Sequence, residues 1–395
     1  MKIDLPLDKC TGCSACYATC PIGCISMREN AEGFIQPEID VTKCSECGRC
    51  VSVCPVLEQS VRSRPIKGYC GFHTDSRVTK MSSSGGVYSA IAQPILDQGG
   101  VVFGAVYGDD CMTVHHAGSD SVPFSCQIGS KYVESDLGES FFDVKIVLQS
   151  GRQVVFSGTP CQVAGLYAFL GNRPDNLLAV DFVCHGVPSR KIYHNYFRNM
   201  EAKFGTKIRA IDFRPKIVGW HRHAISVYFE NGKVYQRDAA SDAYFTGFMA
   251  QNLFLKKACY SCQFRGTHKA DITIADFWGS KIRPDIPDDD TGLSLVLFNS
   301  EKAIALVPVL AESLRIFPLD FSDYGYAFSE RDPIAYGIKS REVFFKDYCS
   351  QGLAEALHQH VRLASWRRRF VFQVQLCMHR MQSFLDTPAK ETDNR

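Results

Sequence analysis

The chain of 395 residues lacks several things, and each absence excludes a class of function. No run of about 18 uncharged apolar residues occurs, so no membrane-spanning helix is expected. No G-x-G-x-x-G segment occurs, so a nicotinamide-binding Rossmann turn is not indicated. Neither sign of charge dominates: 44 Lys and Arg face 42 Asp and Glu, a formal net charge of +2, which offers nothing to a nucleic-acid backbone. The opening MKIDLPLDKC has no apolar core long enough for a signal peptide. Low-complexity sequence is absent as well. Hydrophobic content of 45% and charged content of 22% are those of an ordinary globular protein.

Cysteine is what the chain has in plenty, at eighteen residues. Without a secretion signal, that number points to the cytoplasm and to metal chemistry rather than disulfides. Two copies of one pattern stand near the start. Cys10, Cys13, Cys16 and Cys20 precede Pro21; Cys44, Cys47, Cys50 and Cys54 precede Pro55. Each reads C-x2-C-x2-C-x3-C-P, the bacterial ferredoxin spacing, in which the fourth thiolate ligates the other cluster. The expected sets are therefore Cys10, Cys13, Cys16 and Cys54 for one 4Fe–4S cluster, and Cys44, Cys47, Cys50 and Cys20 for the other. Zinc sites favour separated cysteine pairs and fit this run poorly. Cys24 breaks the pattern and reads as a buried spectator.

The pattern along the chain divides it into four parts. Residues 1–60 form a bacterial-ferredoxin-like 2×(4Fe–4S) module, too small for much apolar core and dependent on its metal for folding energy. A polar linker covers Glu58–Gly68. Residues 61–150 and 151–345 make a larger mixed α/β body, and 346–395 a basic helical tail. Strands are expected at Val101–Tyr107, Gln153–Gly158, Leu177–Cys184, in DITIADFWG and at Ser294–Ser300. Helices are expected after SSSGG, in QVAGLYAFLG up to Gly171, near Ile192–Lys203, near Ser241–Leu255 and in EKAIALVPVLAESL. Strands alternating with helices argue for a largely parallel sheet. Asn231-Gly232 marks a hairpin.

Four more cysteines stand beside turns in the body. Cys161 lies in GTPCQ at a strand-to-helix turn, Cys184 just past the next strand, and Cys259 and Cys262 in a C-x2-C before another. Carboxyl-end loops of an open α/β sheet are where sites assemble, so these thiols can converge on a third metal centre, with iron–sulfur, zinc and a redox dithiol as competing readings. Cys70, Cys111, Cys126, Cys349 and Cys377 have no such company and default to packing. SSSGG (Ser82–Gly86) before a helix is a candidate phosphate cradle, or simply a serine-rich cap. Lys131 is a candidate cation for a cofactor phosphate, or plain surface. His185, next to Cys184, is a proton donor or a packing residue. Clusters carry single electrons, and a flavin is the usual adaptor to two-electron chemistry.

In order, MSSSGGVYSAIA, GSKYVES, VVFSGTPCQVAGLYAFL, VDFVCHGVPS, IDFRPKIVGW, KKACYSCQF and ADITIADFWG are similar to segments of the coenzyme F-420 hydrogenase/dehydrogenase beta-subunit family. The resemblance spans roughly Met1 to Ile338 and includes the double ferredoxin motif. It implies FAD with a 4Fe–4S cluster beside it, Cys161, Cys184, Cys259 and Cys262 as that cluster's ligands, and Ser83, Ser84, Gly85, Gly86 and Lys131 as flavin contacts. The expected activity is that of an FAD-dependent iron–sulfur oxidoreductase. It would take electrons from ferredoxin or a similar low-potential donor and pass them to an organic substrate. An electron-transfer subunit feeding a partner enzyme and a true F-420 oxidoreductase are the alternatives. No nucleic acid is expected as partner. The tail, with SWRRRFVFQVQLCMHRM, is a candidate contact for a partner or a membrane surface, or a terminal helix packed on the body.

Overall fold

The computed structural model describes residues 5–58, 64–267, 269–325 and 337–385. Part of the linker read at Glu58–Gly68 lies outside the described residues. The cysteine module is built on an antiparallel hairpin of β1 (Ile25–Glu29) and β2 (Ile35–Ile39), paired Ile25 to Ile39. Asn30 closes the turn, its side-chain oxygen accepting from the N–H groups of Glu32 and Phe34 at 3.1 and 3.0 Å. The two cysteine runs have matching backbones. Gly12 and Glu46 take φ of +74° and +53°, and Ser14 and Gly48 take +60° and +73°, at corresponding places in the two copies. Each then begins a short helix, Ala15–Thr19 or Arg49–Ser52. The N–H of Gly12 points at Cys10 Sγ and that of Glu46 at Cys44 Sγ, both at 3.4 Å. The sequence repeat is thus a structural repeat, and the left-handed residues curl each loop around its own sulfurs.

The body contains β3 (Lys67–His73), β4 (Val101–Tyr107), β5 (Val114–Gly118), β6 (Val154–Ser157), β7 (Leu177–Phe182), β8 (Ile208–Asp212), β9 (Ala224–Phe229), β10 (Val234–Asp238), β11 (Ile272–Asp276), β12 (Ser294–Phe298) and β13 (Leu314–Leu319). An eight-stranded sheet runs β13-β3-β12-β11-β7-β6-β4-β5, and β10-β9-β8 form a separate three-stranded sheet. Parallel pairing is confined to β4, β6, β7 and β11. Both flanks are antiparallel, so the expectation of a largely parallel sheet is corrected to a parallel centre with antiparallel wings. The flanks were hard to read because β3 (KGYCGFH) carries two glycines and β13 contains Pro318, which weaken the strand signal. The single helix expected in EKAIALVPVLAESL is also corrected. Pro308 divides it into Glu301–Ile304 and Val307–Ser313, and the chain then enters β13. The stretch near Ser241–Leu255 is short 3-10, α and π turns rather than one helix. The hairpin at Asn231-Gly232 forms as read, joining β9 to β10.

The cysteine module is packed into the body. Phe34, at the hairpin tip, is 1% exposed and joins the body core that includes Ile192, Tyr193, Phe344 and Phe345. Burying that ring contributes about 2–3 kcal/mol. Arg341 pairs with Glu32, and Arg190 with Glu29 at 3.1 Å. Helix Pro160–Leu170 meets the Cys13 loop at Gly165, where a Cβ would lie 2.9 Å from Cys13 Cβ and 3.1 Å from its sulfur. Helix propensity alone would make Gly165→Ala stabilising by about 1 kcal/mol. The contact reverses the sign: Gly165→Ala is expected to cost about 1–3 kcal/mol through overpacking. Thermal melting of the anaerobic protein checks this, and a raised melting temperature would show that the Cys13 loop yields freely.

Helices occupy Ile338–Gln351, Leu353–His360 and Trp366–Leu385, and residues 386–395 of the expected tail lie outside the described residues. The boundary drawn at 345 falls inside the first of these, whose Phe344, Phe345 and Tyr348 belong to the body core. Phe372 and Leu376 pack the last helix onto Ala224, while Trp366, Phe370, Val374 and Met378 remain exposed. Among the described residues no helix is long and apolar enough to cross a membrane.

Candidate metal and cofactor sites

Two recesses open in the cysteine module, and they sort the cysteines by the crossed pattern. One is lined by Cys10, Cys13, Cys16 and Cys54 with Leu5, Pro6, Met27 and Pro55. The other is lined by Cys20, Cys44, Cys47 and Cys50, with Cys24 also in its wall. Cys24 is buried, its sulfur 3.5 Å from that of Cys20. Burial pushes the Cys13 thiol up, and the Cys16 thiol up to about 12. Thiols in such surroundings stay protonated unless a metal takes the proton's place. Among the described residues no three His, Cys, Asp or Glu side chains are placed to hold a single metal ion. Besides cysteine, the walls are mostly apolar, with Thr11 and Ser14 in the first and Ser45 and Arg49 in the second.

The body cysteines meet at the carboxyl ends of the parallel strands. Cys161 follows β6, in the first turn of helix Pro160–Leu170. Thr159 caps that helix, and its hydroxyl lies 3.1 Å from Cys161 Sγ. Cys184 follows β7. Cys259 and Cys262 lie on and just after the 3-10 turn Lys257–Ser261. Gly186 lets the segment after β7 approach the 3-10 turn, since a Cβ there would lie 3.1 Å from Cys259 Cβ. Electrostatic interactions connect the group: Cys184 with Cys259, Cys161 and Cys262, and Cys259 with Cys262 and Cys161. Protein surrounds the group on most sides, so burial pushes Cys161 up to about 11 and Cys259 up to about 12, and Cys184 up as well. The structure thus brings together the four body cysteines that the sequence singled out. It also sets them near the first recess, because the helix that bears Cys161 packs on the Cys13 loop at Gly165. Lys257 pairs with Asp8 at 3.0 Å, and Gln263 donates to the Pro55 carbonyl at 2.8 Å, so the C-x2-C loop is tied to the module at both ends.

The serine–glycine segment is placed differently from a simple cradle. Gly85 N–H donates to Ser294 Oγ at 2.8 Å, and a Cβ on Gly85 would stand 2.5 Å from the Gly71 carbonyl. Gly85 is therefore required by its close approach to β3. Gly86, with φ of +86°, starts helix Val87–Asp97. Ser83 Oγ accepts from Ser130 N–H at 2.8 Å, which places the segment beside Lys131. Lys131 reaches back to the carbonyls of Ile128 and Gly129, and burial lowers its pKa to about 8.

Around this segment stand residues to which sequence reasoning gave no role. Lys216 donates to the carbonyls of Thr79 and Ser84, both at 2.6 Å, and burial lowers it to about 8. Arg214, 9% exposed, pairs with Asp276 at 2.5 Å, and its second terminal nitrogen lacks a hydrogen-bond partner. His223 is pushed down to about 4 by burial, and its Nε2 is also unpartnered. Trp220 donates to the Ser83 carbonyl at 3.2 Å and stacks on Trp278 at 4.3 Å, with Trp278 40% exposed. A buried cation with an unpartnered donor beside stacked aromatic rings suits an anionic group. The signal was present in IDFRPKIVGW, whose Arg214 and Lys216 stand just past β8. Ring contacts run from Tyr132, next to Lys131, to Phe248 at 5.4 Å, and from Phe248 to His185, next to Cys184, at 5.3 Å. His185 Nε2 is 2.7 Å from Asn252 Oδ1, so the residue beside Cys184 is held by an amide.

A double-repeat cysteine module docked on a mixed α/β body defines an iron–sulfur protein of the electron-transferring kind. Residues 9–57 match the 4Fe-4S dicluster domain, and residues 151–317 match the family of the coenzyme F420 hydrogenase/dehydrogenase beta subunit, C terminus. That region is thus similar to the C terminus of the F420 hydrogenase/dehydrogenase beta subunit. No curated protein matches the chain. Among solved structures, a chain of the F420-reducing [NiFe] hydrogenase complex from Methanosarcina barkeri matches at 17% identity and a TM-score of 0.47. The match covers 73% of this chain and 94% of that one.

Proposed function

We propose that this protein is an iron–sulfur flavoprotein oxidoreductase, taking electrons from ferredoxin or a similar low-potential donor and delivering them to an organic substrate. The observation that carries the reading is the placement of three cysteine sets in sequence: an outer recess, an inner recess, and the body group, whose Cys161 helix packs on the Cys13 loop at Gly165. In this reading Cys20, Cys44, Cys47 and Cys50 hold the outer cluster. Cys10, Cys13, Cys16 and Cys54 hold the inner one, and Cys161, Cys184, Cys259 and Cys262 a third. Ser83, Ser84, Gly85, Gly86 and Lys131, with Arg214 and Lys216, border the FAD site. The clusters supply single-electron carriage and the flavin its conversion to two-electron chemistry. Cys47 is exposed and Cys13 buried, so the donor would dock at the outer recess while the inner set is shielded from water. The alternative of a subunit that feeds a partner enzyme takes some support from the matched family model, which describes a beta subunit. In either case the exposed stripe of Trp366, Phe370, Val374 and Met378 is a surface for such a partner or for a membrane.

Anaerobic purification with flavin extraction and iron analysis tests the cofactors. Stopped-flow mixing with reduced ferredoxin tests the route, with rapid bleaching of the flavin expected and no comparable reduction by NADH or NADPH. Cys47→Ala is expected to remove one cluster and slow reduction by ferredoxin at least tenfold while FAD stays bound. Fast reduction by NADPH, or a protein that neither holds nor takes up FAD, would overturn the proposal.

A further inference from the structure

Between the inner recess and the body cysteine group lies a buried ion pair to which no role has been given. Lys256 and Glu134 are 2% and 4% exposed. The Lys256 ammonium donates to Glu134, to the Thr11 carbonyl at 3.2 Å and to the Ile35 carbonyl at 3.0 Å. Glu134's other oxygen accepts from the Ile35 N–H at 3.0 Å. A long side chain from the body therefore ends inside the cysteine module, on the loop that bears Cys10. The fit is close: a Cβ on Gly12 would lie 2.6 Å from the ammonium and 2.9 Å from the carboxylate. Gly12, with φ of +74°, also directs its N–H at Cys10 Sγ. On its other side Lys256 accepts, through its carbonyl, the Cys259 N–H at 2.9 Å. Its charge acts on Cys10, Cys259 and Cys161, members of two different cysteine sets.

A buried ammonium is expensive, and burying a carboxylate beside it is a poor source of stability compared with apolar packing. Docking alone does not require it, since Phe34, Arg341 and Gly165 already hold the module. Reduction adds one negative charge to a thiolate-bound cluster, and a nearby fixed cation in a low-dielectric site favours that state. We propose that the Lys256–Glu134 pair sets the reduction potentials of the inner and body metal sites together. Lys256 raises both, and Glu134 limits the rise. Lys256 and Glu134 are thus positioning residues for electron passage across the junction between module and body. The outer set, Cys20, Cys44, Cys47 and Cys50, lies beyond their reach. The inference rests on the metal-site assignment proposed above.

The test uses the full-length protein, purified anaerobically, with potentials read by EPR-monitored redox titration and iron measured in parallel. Lys256→Gln should lower the midpoint potentials of the inner and body sites, Glu134→Gln should raise them, and Lys256→Arg should stay near the wild type. The outer site should not move in any variant. A merely structural pair predicts instead that both neutral variants shift in one direction or not at all, and that result at full iron content overturns the proposal. Should Lys256→Gln lose iron, Glu134→Gln decides: no rise in potential at full iron content refutes it. Failure of the underlying metal assignment looks different, as wild-type protein with iron and EPR signals for the module alone. The shift is then read on the inner site, and its absence there is equally decisive.

Discussion

Replacing Cys184 by alanine is expected to remove about one third of the iron, one cluster of three, and leave the two module clusters in place. Cys184 interacts with each of the other body cysteines, Cys259, Cys161 and Cys262. Without it, the remaining thiols lack a fourth anchor in a site where burial already holds them protonated. The EPR signals of the module should persist, because its recesses are lined by its own cysteines. Reduction of the flavin by ferredoxin should fall by at least two orders of magnitude, as the junction beyond Cys13 is then broken. Unchanged iron content in Cys184→Ala would show that the body group holds no cluster.

Changing Lys216 to methionine is expected to weaken FAD uptake by about 10–100-fold, the worth of one or two charge-assisted hydrogen bonds. The effect has two parts. Lys216 contributes positive charge to the pocket, and it holds the Thr79 and Ser84 carbonyls that shape the serine–glycine segment. The pH dependence separates charge from shape. Lys131 and Lys216 both stand near pKa 8 in the free protein because burial disfavours their charged forms. An anionic ligand binds the protonated forms, so affinity should be greatest below about pH 8. It should decline above that by up to about tenfold per pH unit for each lysine. Stability of the ligand-free protein should run the other way. The folded pKa values lie below the ordinary 10.5, so between about 8 and 10.5 the unfolded chain binds more protons. These two lysines then make the ligand-free fold more stable as pH rises through that window. Equilibrium titration with FAD and thermal melts across pH 7–10 check both trends; FAD affinity independent of pH would place the phosphates elsewhere.

The residues made some features legible from spacing alone. The doubled C-x2-C-x2-C-x3-C-P run gave the crossed cysteine sets that line the two recesses, because ligand spacing is local and the repeat supplies its own control. The strands β4, β7 and β12 could be read because they are continuous apolar runs, as strands buried on both faces are. The helix ending at Gly171 could be read because a left-handed glycine closes it. The flanking strands escaped because glycine, histidine and proline within them hide a pairing that only the neighbouring strands enforce.

The tertiary structure decided what distance in sequence conceals. The Cys161 helix packs on Cys13, Lys256 enters the loop of Cys10, and Lys216 reaches Ser84, each pair separated by many tens of residues. The sequence by itself determined which side chains can bind metal and in what local sets, since a short loop admits few geometries. Which sets adjoin one another, and which charges are buried between them, depended on the packing of Phe34, Gly165 and Gly186. Those contacts follow from the apolar surface and the free space of the whole fold, and no local spacing encodes them.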